Sequence, residues 1–166
     1  MGRGAGPAAA PARPESGSGL AGDEVLREHF TRNTQFWGEE GQARVEGAYV
    51  VVVGLGGVGS HAAAMLLRSG VGRLKLVDFD QVSLSSLNRH ATATRADVGL
   101  PKATCLAQHF EAICPEAEVE AMVAMYDKAA EEAVLGGARR PDFVLDAIDN
   151  IHTKVDLLVA CKRRGL

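Results

Sequence analysis

A doubly wound α/β sheet, mainly parallel, is the fold this sequence predicts, and three observations predict it. Strand-like and helix-like segments alternate from Tyr49 to the end of the chain. Tyr49–Val53 is an unbroken apolar run rich in valine, the pattern of a central parallel strand buried on both faces. A glycine-rich turn then leads from that run directly into a helix-like segment.

The elements follow in order. Residues 1–22 are rich in Gly, Ala, Pro and Ser and too poor in apolar bulk to order themselves, so a disordered tail is expected there. Arg3 and Arg13 leave mitochondrial or plastid targeting as a minor reading of that tail, because no amphipathic pattern accompanies them. Order is expected from about Asp23. Val25, Leu26, His29 and Phe30 recur at helical spacing, residues 31–34 read as a loop, and a short helix over 39–45 stops at Gly47. After the first strand, the glycine turn opens a helix that runs to about Ser69. The second strand spans 74–77 and ends on Asp78. The polar loop 81–99 is long for a compact domain, which marks it as a functional candidate. Pro101 opens the next helix, with Leu106, Phe110 and Ile113 as its apolar stripe. A third strand is expected over 119–123, a short helix over 128–135, a fourth strand over 143–145 and a last helix over 153–164, capped by Gly165. The pattern then calls for a fifth strand, because Val155, Leu158 and Val159 need a sheet to cover them. Residues 23–166 are therefore expected to be the N-terminal part of a longer domain whose sheet is incomplete at the C-terminus.

Composition narrows the function. The 166 residues suit one domain, and 46% hydrophobic with 23% charged residues is the balance of a soluble globular chain. A formal net charge of −3 gives no general attraction for nucleic acid. Cys105, Cys114 and Cys161 form no close pair, so a disulfide framework is excluded, a reducing compartment such as the cytoplasm fits, and each cysteine reads as packing. No apolar run approaches the ~18–20 residues needed to cross a bilayer.

The chemistry gathers at the predicted C-terminal ends of the strands. Gly54, Gly56 and Gly59 fit G-x-G-x-x-G, with Gly57 between them, and bare backbone there lets phosphate oxygens reach N–H groups at a helix N-terminus. Asp78 follows Gly59 by 19 residues, the spacing of a ribose-binding acid. To this point a Rossmann-like NAD enzyme and an ATP enzyme fit equally. Asn88, Arg89 and Lys102 around the long loop favour a triphosphate, which carries more charge and a leaving group than a dinucleotide. Asp149 lies just past the fourth strand, where a carboxylate suits magnesium. Each residue also has a plain structural reading: Arg89 as a surface residue, Lys102 as a first-turn lysine, Asp149 as a helix N-cap. His61 reads as structural, and Arg139-Arg140 and Lys162-Arg163-Arg164 as solvated charge.

Taken together, Gly54 to Gly59, Asp78-Phe79-Asp80, Asn88-Arg89, Pro101-Lys102 and Asp146-Ala147-Ile148-Asp149-Asn150 resemble the E1-like adenylating superfamily. Within it, Phe36-Trp37-Gly38-Glu39-Glu40-Gly41, Leu84-Ser85-Ser86-Leu87-Asn88-Arg89-His90 and Asp149-Asn150-Ile151-His152-Thr153-Lys154 are most similar to tRNA threonylcarbamoyladenosine dehydratases. Ser86 stands where the sulfur-carrier branch usually has Asn. The resemblance implies ATP and Mg2+ as cofactors. It implies a nucleotide set of Gly54, Gly56, Gly57, Gly59, Asp78, Asn88 and Arg32, with Arg32 reaching a neighbouring protomer's site in a homodimer. It further implies Arg89, Lys102 and Asp149 as catalytic, Asp149 holding the metal, and tRNA bearing threonylcarbamoyladenosine as the substrate. An adenylyltransferase acting on a ubiquitin-like or sulfur-carrier protein is the runner-up, and an NAD-dependent oxidoreductase the further alternative.

Overall fold

The structure is a computed structural model that describes residues 19–166, with side chains from Glu24 onward. The expected tail lies outside the described residues up to residue 18. Four strands form one all-parallel sheet in the order β3-β2-β1-β4. β1 is Tyr49–Val53, β2 Arg73–Val77, β3 Glu118–Met122 and β4 Phe143–Asp146. Helices α1 (Gly19–Glu46), α2 (Gly57–Arg68), α3 (Lys102–Ile113), α4 (Glu131–Leu135) and α5 (Ile151–Arg164), with two short 3-10 turns at Leu84–Ser86 and Arg95–Asp97, complete the described elements.

β1 organises the layers. It is paired along both edges, to β2 and to β4, and all five of its residues are buried. Because side chains alternate across a strand, Val50 and Val52 join one core while Tyr49, Val51 and Val53 join another. The first core packs α2 and α3 on the sheet through Ala63, Leu67, Leu106 and Phe110. The second packs α4 and α5 on the opposite face through Val134, Leu135, Leu157 and Ala160. Helices on both faces are the consequence of a strand with two apolar sides.

Lys75 is the one charged side chain of β2 turned into this interior. It is 6% exposed, donates to the Ala133 carbonyl at 2.6 Å and pairs with Glu120 at 3.0 Å. Burying an ammonium is costly unless it is paired in this way.

Three expectations are corrected. Residues 31–34 are helical, not a loop. Thr31 bonds back to the Arg27 carbonyl four residues earlier, and Asn33 reaches across to the Ser69 carbonyl, so neither side chain competes with its own backbone. The break in α1 falls instead at Gly38, whose φ of 77° and ψ of 169° suit glycine alone. The short helix before β4 begins at Glu131, because residues 128–130 form a turn in which Asp127 accepts the Ala130 N–H at 2.8 Å. α5 meets the sheet through Leu157, Ala160 and Cys161, spaced i, i+3, i+4. Val155, Leu158 and Val159 point outward and remain 51–58% exposed. α1 also starts at Gly19, four residues before the expected point.

Phe110 is fully buried in the core where α3 packs on β2 and β3. Phe110→Ala should lower the unfolding free energy by about 3–5 kcal/mol, measured by urea denaturation with far-UV circular dichroism.

Candidate functional site

A parallel sheet brings all strand C-termini to one edge, and a cleft of about 500 Å³ opens there. Its floor is the end of β1 and the turn after it: Val53, Gly54, Gly56 and Gly57. One wall comes from the end of β2, with Asp78, Phe79 and Asp80. The opposite wall follows β4, with Ala147, Ile148, Asp149 and Asn150. Arg89 and Lys102 close it on the side of the long loop.

The glycine turn is dictated by crowding. A Cβ on Gly59 would stand 1.7 Å from the Gly54 carbonyl oxygen, so α2 could not start this close to β1 with any other residue. Gly59 is thus buried behind the turn and does not face the cleft. Gly56 does: it is the N-cap of α2, it offers no side-chain cap, and nothing occupies the space where its Cβ would be. The first-turn N–H groups of α2 are therefore open to an anion.

Asp78 is 8% exposed. Its Oδ2 accepts the Leu55 N–H at 2.6 Å and its Oδ1 accepts the Asp80 N–H at 2.7 Å. Each carboxylate oxygen keeps a second lone pair for a ligand hydroxyl.

Lys102 is buried at the start of α3, and its Nζ lies 2.7 Å from Asp80 Oδ2. Asp80, quoted only as part of a motif in the sequence, is thus the partner that positions this cation. Burial, then the charge of Lys102, holds His90 below its ordinary value, which keeps that imidazole neutral near pH 7.

Arg89 is exposed at the cleft. Its guanidinium donates to the Ser85 carbonyl at 2.8 Å and to Asn88 Oδ1 at 3.1 Å. Asn88 itself does not line the cleft; it steadies Arg89. Ser86 is buried and donates to the Ser83 carbonyl at 2.7 Å, so its hydroxyl serves the loop and not the cleft. The loop 81–99 closes on itself through Val82–Leu100 and Gly99–Val82 backbone bonds, both 2.8 Å.

Asp149 and Asn150 divide two roles that the sequence left merged. Asn150 is the N-cap of α5, its Oδ1 accepting from the His152 and Thr153 N–H groups at 3.0 and 3.1 Å. Asp149 is exposed on the cleft wall and makes no side-chain bond among the described residues. Asp146 differs again, held by Lys154 at 2.7 Å.

Arg32 is not brought to the cleft. It lies exposed on α1 and donates to Gln35 at 3.1 Å. Sequence reasoning missed the wall formed by Ala124, Met125 and Tyr126 after β3, where Met125 is 54% exposed and Tyr126 buried. Burial, then Glu131, pushes the Tyr126 phenol up to about 12, so it stays neutral. The three cysteines are free and buried, as packing residues are. No described helix is long and apolar enough to cross a membrane.

A parallel sheet in the order β3-β2-β1-β4, a glycine turn opening the first crossover helix and an acid at the tip of the next strand define a Rossmann-like nucleotide-binding domain. The chain belongs to the ThiF family, whose model matches residues 30–166. It is 44% identical over 144 residues to tRNA threonylcarbamoyladenosine dehydratase 2 of Saccharomyces cerevisiae, covering 87% of this chain and 32% of that protein. Identity to the Bacillus subtilis tRNA threonylcarbamoyladenosine dehydratase is 39%, over 82% of this chain and 53% of that one. Among solved structures, the Escherichia coli tRNA N6-threonylcarbamoyladenosine dehydratase in complex with ATP matches with a TM-score of 0.81 at 32% identity, covering 86% of this chain and 58% of that one. The chain thus spans between about a third and somewhat over half the length of these relatives.

The cap and the free carboxylate are separable by mutation. Asn150→Ala should cost about 1 kcal/mol of stability. Asp149→Ala should leave the melting curve unchanged, and equal losses in the two variants would assign Asp149 to the cap as well.

Proposed function

We propose that this chain is the nucleotide-binding part of an ATP-dependent tRNA threonylcarbamoyladenosine dehydratase. The observation that carries the reading is the charge pattern of one cleft: an open helix N-terminus, two cations of different origin in Arg89 and Lys102, and the unpaired carboxylate of Asp149. A dinucleotide has no use for the last three together, whereas a triphosphate has a use for each. The names of the relatives supply the substrate: three of them are tRNA threonylcarbamoyladenosine dehydratases, and one binds ATP.

In this reading the N–H groups at the start of α2 receive the phosphates and Asp78 holds the ribose. Arg89 and Lys102 draw charge from the phosphates as pyrophosphate leaves. The donor set fits magnesium, because Asp149 offers a free oxygen ligand with Asp80 on the facing wall, and magnesium commonly takes one or two carboxylates. When bound, it would neutralise charge on the phosphate oxygens. The substrate carboxylate, a poor electrophile on its own, attacks the α-phosphate and becomes an acyl-adenylate. A nucleophile within the same modified side chain then closes a ring and expels AMP, so water is lost overall. The protein's share is positioning and charge stabilisation, with no cysteine nucleophile. Arg32, far from its own cleft, is assigned to the cleft of a second protomer in a homodimer. The free cysteines suit the cytoplasm.

Three measurements test this reading. ATP with magnesium should bind the protein more tightly than NAD in a calorimetric titration; the reverse order would end the ATP reading. Asp149→Ala should lower ATP–pyrophosphate exchange by roughly 100-fold or more, whereas Asp78→Asn should act mainly on nucleotide affinity. Incubated with ATP, magnesium and tRNA carrying threonylcarbamoyladenosine, a full-length enzyme containing this chain should remove one water from that nucleoside, read by mass spectrometry. Unchanged tRNA alongside adenylation of a ubiquitin-like protein's C-terminus would favour the protein-activating branch instead.

A further inference from the structure

We infer that Asp97, Cys105 and His109 form a binding site for a divalent cation of the zinc type, set beneath the loop that carries Arg89. One carboxylate oxygen, the thiol sulfur and one ring nitrogen all lie within 4.8 Å of one another. The donors come from two elements. Asp97 ends the second 3-10 turn of the loop, Arg95–Asp97, and Cys105 and His109 stand four residues apart on one face of α3. Cys105 is fully buried, and His109 Nε2 lies 3.0 Å from Asp97 Oδ2.

A thiolate, an imidazole and a carboxylate are a donor set that zinc accepts, at about 2.0–2.3 Å in a tetrahedron. Ligand atoms around such an ion stand roughly 3.3–3.7 Å apart, so Nε2 and Oδ2, now 3.0 Å apart, open slightly while the sulfur moves in by about 1 Å. The ion replaces the proton between Nε2 and Oδ2. His109 then binds as the neutral ring with its proton on Nδ1, and the Cys105 thiol releases its proton to solvent.

A second observation lies in the same loop. His90 Nε2 and Thr92 Oγ1 are buried without a partner. The His90 ring is 7% exposed and accepts the Thr92 and Ala93 N–H groups on Nδ1, so its own proton is on Nε2 and lacks an acceptor. Buried polar atoms ordinarily have a partner, often an ordered water or one bound to an ion. Three protein ligands leave a zinc ion a fourth position for such a water. The consequence for the fold is a clamp: one ion ties the loop of Arg89 to the helix that begins at Lys102.

Metal analysis tests this without reading any activity, so its failure leaves the ATP reading intact. The purified chain, equilibrated with zinc and desalted, should retain about one zinc ion per chain. Zinc-edge X-ray absorption of that unmutated sample should show one sulfur ligand with nitrogen and oxygen around it. Cobalt in place of zinc should give a thiolate charge-transfer band that Cys105→Ser abolishes while Cys114→Ser and Cys161→Ser retain it. A chain that holds no zinc, a zinc shell without sulfur, or a cobalt band that survives Cys105→Ser would overturn the site.

Discussion

Asp78 is the contact on which the cleft depends. Its two oxygens accept backbone N–H groups from the turn after β1 and from the strand-end loop after β2. One carboxylate therefore sets the distance between the glycine turn and the segment that carries Asp80. Because Asp80 in turn holds Lys102, the start of α3 is registered to the same point. Three elements separated in sequence are aligned by one buried side chain, which is a stricter constraint than any of the exposed charges could impose.

The two cations are held in different ways, and the difference matters for how they act. Lys102 is buried and ion-paired, so its position is fixed before any ligand arrives. An ammonium has three donors and can keep Asp80 while reaching a phosphate oxygen. Arg89 is exposed and anchored by a carbonyl and by Asn88, which uses part of its fork and leaves other N–H groups free. A fixed cation and an adjustable one together can follow a phosphate chain whose charge moves as a bond breaks.

Much of this was legible in the sequence because it rests on local rules. The valine run of β1 had to be buried on both faces, and the glycine turn with Asp78 at its spacing marked the edge of the sheet where the cleft opens. What was not legible depends on contacts between distant residues. No local pattern tells that Asn33 will find the Ser69 carbonyl and so remain helical, or that Gly38 and not residues 31–34 breaks α1. Likewise Asp149 and Asn150 are neighbours with interchangeable cap chemistry, and only the direction in which α5 leaves the sheet assigns the cap to Asn150. Arg32 was read from the sequence as serving a neighbouring protomer, and it does not line the cleft of its own chain.

The assignment of the cap has a further consequence for the acids around β4. Asp146 is neutralised by Lys154, one turn into α5, and the cap at Asn150 is an uncharged amide. The positive end of the α5 dipole is therefore not cancelled by a carboxylate in its cap position. Asp149, one residue before the cap, lies near that positive end, faces the cleft and makes no side-chain bond among the described residues. Had Asp149 been the cap, its oxygens would have been committed to N–H groups and unavailable to a cation. Using the Asn150 amide for the cap is what leaves the Asp149 carboxylate free to face the cleft.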